Sequence, residues 1–308
     1  MRTVHLAPAV AAASSLLVLL TACGSSDADA GSPAADDAVT VVASTNVYGD
    51  IAAAVGGADV EVTSIIDDPS ADPHSFEANT RTQLAVSEAD VVVENGGGYD
   101  DFVDTLISST GTDAVVVNAV DVSGREAAAE AAGEELNEHV WYDLETIGDL
   151  ADEIARALGE ADAANAGTYD ANAAEFNARV DELLASEAEL RPATSGAGVA
   201  VTEPVPGYLL DALGAENRTP EEFSEAIEEG GDVSPAVLQE TLDLVTGGSV
   251  RAVVYNAQTT GPETEQVREA AEGVGVAVVA VTETLPEGED YVSWMQANID
   301  AVGAALSS

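Results

Sequence analysis

Lysine is absent from this 308-residue chain, and its nine basic residues, all arginine, face 57 aspartates and glutamates. A formal charge of −48 leaves no basic face for phosphate, so nucleic acid and anionic lipid headgroups are poor partners by simple repulsion. The bland account of the acidity is solubility, high salt included. Cysteine occurs once, at position 23, which excludes an internal disulfide framework. Histidine occurs only at His5, His74 and His139, and no HExxH, closely spaced HxH or GxSxG element is present. The common local signatures of zinc proteases and serine hydrolases are therefore missing. Aromatic residues make up only 4%, yet 46% hydrophobic content over the body of the chain is enough for a sizeable core.

What the N-terminus does contain is a basic start at Arg2, an apolar stretch from Leu6 to Leu20, and Leu20-Thr21-Ala22-Cys23. The stretch is too short to span a membrane stably and reads as a secretory signal, residues 1–22. Small residues before the lone cysteine resemble a bacterial lipobox, in which Cys23 carries the lipid and becomes the first mature residue. An ordinary signal with a chance cysteine is the plain alternative. Residues 23–38 are small and acidic, cannot form a core, and read as a flexible tether with a reach on the order of 20 Å. Removal of Arg2 with the signal leaves eight arginines against 57 acids, a charge of −49.

Beyond the tether, β-branched runs alternate with helical patterns. Val39–Ala43, Val60–Ile66, Val91–Val93 and Ala114–Val117 read as strands buried on both faces, with helices over 48–55, 81–88 and 100–109 between them. A second set follows at 198–202, 252–255 and 276–281, with helices over 237–244, 263–272 and 290–306. This pattern predicts an α/β protein of two lobes, residues 39–160 and 192–308, each with a mostly parallel sheet flanked by helices. Residues 161–191 carry Phe176, Val180, Leu183 and Leu184 at helical spacing and read as a long connecting helix, broken near Gly167 if anywhere.

With His5 in the signal, metal chemistry of borderline softness must pass through His74 and His139. Glu203 and Glu283 each end an apolar run in the second lobe, at the strand ends where open α/β sheets gather ligands. Two neutral imidazoles and two carboxylates make a plausible closed site for a divalent transition metal. Each residue also has a structural reading: His74 as a backbone-bonded loop residue, His139 packed beside Trp141, and Glu203 and Glu283 as charges at helix N-termini. Among 57 acids, two carboxylates alone are weak evidence.

The ordered set is more specific. Asp72-Pro73-His74-Ser75-Phe76-Glu77 resembles the DPHxxE segment of the metal-binding lipoproteins that serve zinc and manganese ABC importers, the cluster A-I solute-binding proteins. Glu138-His139-Val140-Trp141 with Asp143 is similar to the family's second histidine motif. Val42-Ala43-Ser44-Thr45, Gly49-Asp50-Ile51, Gly56-Gly57 and the segment 291–298 also match, so the resemblance covers about residues 39–305. It implies His74, His139, Glu203 and Glu283 as metal ligands, with glutamate at 203 as in manganese-type members. Glu283 stands in place of the family's aspartate. The acidic residues 122–138 lack the histidine-rich loop of zinc members.

The implied function is capture of Mn2+ or Zn2+, with Fe2+ also compatible, in an interlobe cleft and delivery to an ABC permease. The protein would be a monomer with no enzymatic activity, held by lipidated Cys23 on the outer face of the bacterial cell membrane. A metallohydrolase with an open metal position and a surface adhesin are the alternatives. Because both imidazoles must be neutral to bind, affinity is expected to fall as pH drops through ~6.5.

Overall fold

Short valine-rich runs have two routes to burial on both faces, and the chain takes the parallel-sheet route twice. The computed structural model describes residues 38–308 except 69, 70 and 72. The signal segment, Cys23 and the tether to residue 37, with Asp72 of the first histidine motif, lie outside the described residues.

The strands are β1 Val39–Thr45, β2 Val60–Ile66, β3 Val91–Glu94, β4 Val115–Asn118, β5 Gly198–Val201, β6 Glu216–Asn217, β7 Ala252–Asn256 and β8 Ala277–Val281. They form two four-stranded sheets of order β2-β1-β3-β4 and β6-β5-β7-β8. Every pairing is parallel; Val41, for example, opposes Val62 on one side and Val91 on the other. The order reverses direction between β1 and β3 in one sheet and between β5 and β7 in the other, which opens a crevice at the carboxyl ends of those strands.

The helices are α1 Asn46–Gly56, α2 Thr80–Glu88, α3 Asp101–Thr110, α4 Ala119–Ser123, α5 Arg125–Ala132, α6 Leu144–Ala161, α7 Ala166–Thr194, α8 Gly207–Ala212, α9 Glu221–Glu228, α10 Pro235–Thr246, α11 Pro262–Val274 and α12 Tyr291–Ser307. Local chemistry fixes several of their starts. The Asn79 side chain accepts from the backbone of Arg81 and Thr82 at α2, Asp290 accepts from Ser293 N at α12, and Ser234 with Pro235 opens α10.

Three details depart from the sequence reading. Only the inner strands β1, β3, β5 and β7 are buried on both faces; along β2, Glu61 and Thr63 are exposed, because an edge strand has one neighbour and partial helix cover. The two-residue β6 is polar and carries no apolar run to announce it. The long helix begins at Ala166, and the break before it lies at Asp162. There the aspartate side chain accepts from the backbone of Ala164 and from the side chains of Asn165 and Tyr169. Gly167 sits inside the first turn of α7.

The two sheets share one core. A single apolar cluster runs from Val41 and Val93 in the first lobe through Phe176, Val180 and Leu183 on α7 to Val199, Val254, Tyr291 and Ile299 in the second. Helix α7 packs against α1, α6 and α12, so it is a spine along both lobes. Hydrogen bonds reinforce the joint. Asn46 exchanges two bonds of 2.9 Å with the backbone of Leu285, Tyr142 Oη donates to Thr282 O at 2.9 Å, and Tyr291 Oη donates to Trp141 O at 2.7 Å.

Candidate metal centre

Each functional side chain hangs from a short segment at a carboxyl strand end. His74 is the middle residue of a 3-10 turn, Pro73–Ser75, in the loop after β2; Pro73 is buried and His74 is exposed. His139 precedes a second 3-10 turn, Val140–Tyr142, whose three residues are all buried, and is itself 1% exposed. Glu203 follows β5 and Glu283 follows β8; both are buried, at 3% exposure. Aromatic rings wall the space between the histidines. Tyr99 meets His74 edge-on with centroids 5.0 Å apart, stands 6.0 Å from His139, and packs on Trp141 at 4.6 Å.

The fold brings His74, His139 and Glu283 together: one donor atom from each lies within 4.8 Å of the other two. Glu203 is outside that group, although its charge acts on the neighbouring Glu228. Asp143 of the second histidine motif turns away from the site. It pairs with Arg125 at 2.7 Å and accepts from Thr146 Oγ1 at 2.6 Å.

Residues around the donors set their chemistry. Asn137 Oδ1 accepts from the backbone of His139 at 3.1 Å and lies 2.8 Å from its Nδ1. That contact places the ring proton on Nδ1 and leaves the Nε2 lone pair for a metal. The same Asn137 donates through Nδ2 to Pro204 O at 3.0 Å, which ties the His139 segment to the loop of Glu203. Burial, and then the neighbouring His74, hold His139 well below the usual imidazole range, so it is neutral at neutral pH. The carboxylate Oε1 of Glu283 accepts from Asn256 Nδ2 at 2.6 Å, and its backbone N–H donates to Gln258 Oε1 at 2.5 Å. Gln258 also donates to Thr284 Oγ1 at 2.9 Å and to Ala71 O, in the His74 loop, at 3.3 Å.

Two further carboxylates line the cleft that the sequence reading left out. Glu228, the last residue of α9, places Oε1 3.3 Å from His139 Nε2. Burial, followed by the charges of Glu138, Glu203 and Glu283, pushes its carboxyl up to about 9. Glu138 is raised as well, chiefly by burial. Nothing in the sequence separates Glu228 from the other acids of Glu221–Glu229, whereas Glu138 adjoins a histidine already singled out.

The sequence profile described as zinc-uptake complex component A, periplasmic (ZnuA), matches residues 41–305. Among curated relatives, a protein named manganese-binding lipoprotein MntA from Halalkalibacterium halodurans is 25% identical over 300 residues, covering 95% of this chain and 96% of that one. A manganese ABC transporter substrate-binding lipoprotein, PsaA of Streptococcus mitis, is also 25% identical, covering 94% and 96%. Among solved structures, the Mn2+ complex of the binding protein FpvC from Pseudomonas aeruginosa superposes with a TM-score of 0.72 at 23% identity, covering 87% of this chain and 98% of that one. The periplasmic zinc-binding protein TroA of Treponema pallidum gives 0.72 at 18% identity, covering 88% and 100%.

Proposed function

Because this chain belongs to the family of the zinc-uptake complex component A (ZnuA), we propose that it captures a divalent transition metal, Mn2+ or Zn2+, outside the cytoplasm and hands it to an ABC permease. The observation that carries this reading is the convergence of His74, His139 and Glu283 from both lobes on one point, with His139 presenting its Nε2 lone pair. The ion is cargo: it exchanges water for imidazole and carboxylate donors and leaves unchanged. Glu203 completes the donor set, reaching the ion from the end of β5. With two imidazoles and two carboxylates as ligands, no position stays open for an activated water, which argues against hydrolytic chemistry. Relatives named for manganese, zinc and iron fit a donor set of mixed nitrogen and oxygen.

In this reading Cys23 carries the lipid, residues 23–38 tether the protein to the outer face of the membrane, and the protein works as a monomer. The lobes 39–160 and 192–308 each contribute two ligands. Among the described residues, no helix is long and apolar enough to cross a membrane.

The test is elemental analysis of protein purified without added metal, followed by competitive titration with Mn2+ and Zn2+. One equivalent of tightly bound metal, lost in His74→Ala and His139→Ala while the fold persists, is the expected result. Tight binding that survives both substitutions would overturn the assignment.

A further inference from the structure

The inner donors do not use all the metal-binding chemistry in the cleft. His74, Glu138 and Glu228 form a second group whose donor atoms also lie within 4.8 Å of one another, and the two groups share His74. The second group is the more accessible one. His74 is exposed, Glu138 and Glu228 are half-buried, and the inner His139 and Glu283 are buried. Its members come from three separate segments: the loop after β2, the residue before His139, and the end of α9. Such a trio is not the solvated acidic face of one helix.

An independent contact points from the inner group toward it. Nε2 of His139, in a side chain 1% exposed, makes no hydrogen bond and faces Oε1 of Glu228 across 3.3 Å. That carboxylate oxygen is also buried without a hydrogen bond. A lone pair and a carboxyl oxygen set face to face in this way are both satisfied by a cation moving between them.

Resting on the carrier reading above, we propose that His74, Glu138 and Glu228 form an outer position for a divalent cation, occupied on the way between solvent and the inner donors. An arriving hexahydrate sheds part of its water to two carboxylates and one imidazole nitrogen, a set suited to hard cations. It then moves inward with His74 as the common ligand, exchanging Glu138 and Glu228 for His139 and Glu283. The ion is never fully stripped of ligands during the transfer.

The probe is Mn2+. In a chain carrying His139→Ala, Glu203→Gln and Glu283→Gln together, the inner donors other than the shared His74 are gone. One Mn2+ per chain should still bind weakly, visible by electron paramagnetic resonance, and should be lost when Glu138→Gln and Glu228→Gln are added. With the inner donors intact, Glu228→Gln should slow Mn2+ loading in stopped-flow by roughly tenfold. Glu225→Gln lowers the charge on α9 without touching either group and should load at the native rate. An inner-deleted chain that takes up no Mn2+, or holds it equally well without Glu138 and Glu228, overturns the outer position. So does equal slowing by Glu225→Gln and Glu228→Gln, because only the local field would then matter. Should the multiply substituted chain not fold, the stopped-flow comparison decides alone. The carrier reading is judged separately, by loss of tight binding in His139→Ala.

Discussion

Asn137 does more for the candidate metal centre than a neutral amide suggests, since it fixes the tautomer of His139 and holds the backbone beside Glu203. Replacing it with alanine frees the ring to rotate and unties the two loops. Asn137→Ala is expected to weaken Mn2+ or Zn2+ binding by ~10- to 100-fold in competitive titration, in line with losses of other ligand-orienting groups. An unchanged affinity would show that Trp141 and Tyr99 alone orient the ring. At Glu203, the softer imidazole of Glu203→His should shift preference toward Zn2+; no shift would mean that Glu203 does not reach the ion.

A third residue, Glu187 on α7, bears on pH. It is 5% exposed and borders a cavity of about 220 Å³ together with Arg125, Asp143 and Glu145. Burial, then the charges of Asp143 and Glu145, raise its carboxyl to about 8. The folded state therefore keeps a proton that the unfolded chain releases near ~4.3. The associated stability is complete below that lower value and is lost as pH rises through about 8. Glu187→Gln should stabilise the protein by ~1–3 kcal/mol at pH 9 and much less at pH 5, read as melting temperatures. Equal gains at both pH values would contradict the shifted carboxyl.

Among the elements, β5 is buried along its whole length and tightly confined at its start. A Cβ added to Gly198 would stand 2.3 Å from Ser249 O and 2.9 Å from the Arg218 guanidinium. The backbone oxygen cannot rotate aside, so Gly198→Ala should cost ~1–3 kcal/mol in urea unfolding. A neutral result would mean that the turn before β7 gives way. The elements also differ in how far they could be read from sequence. Valine runs announced β1, β3, β5 and β7, whereas β6, with Glu216 and Asn217 both exposed, had no apolar signal to offer. Helix α6 was legible and left unread: Leu144, Ile147, Leu150, Ala151, Ile154 and Leu158 recur at helical spacing and are all buried. In the cleft, scarcity made His74 and His139 stand out, and a strand end marked Glu283. Glu228 could not be picked from the run Glu221–Glu229, because what distinguishes it is the direction in which α9 ends. Asn137 had no signature at all, since its role depends on a ring two residues away and a carbonyl in the other lobe.

For the whole molecule, the shared core has a thermodynamic consequence. Apolar packing is continuous from Val41 to Ile299 through α7, so neither lobe can lose its structure without stripping the other. Calorimetry should show a single cooperative transition for residues 38–308. Two separated transitions would mean that the lobes are coupled only weakly. Loading should raise that transition, by ~4 kcal/mol of stability at a thousandfold excess of free ion over its Kd.

Gln258 gives this rigidity a mechanical side. One amide grips the backbone of Glu283, the hydroxyl of Thr284 and the carbonyl of Ala71 in the loop that carries His74. It works as a latch whose two halves belong to opposite lobes. The loop that carries His74 and the turn that carries Glu283 are thus held by one side chain, so a displacement of either is felt at the other.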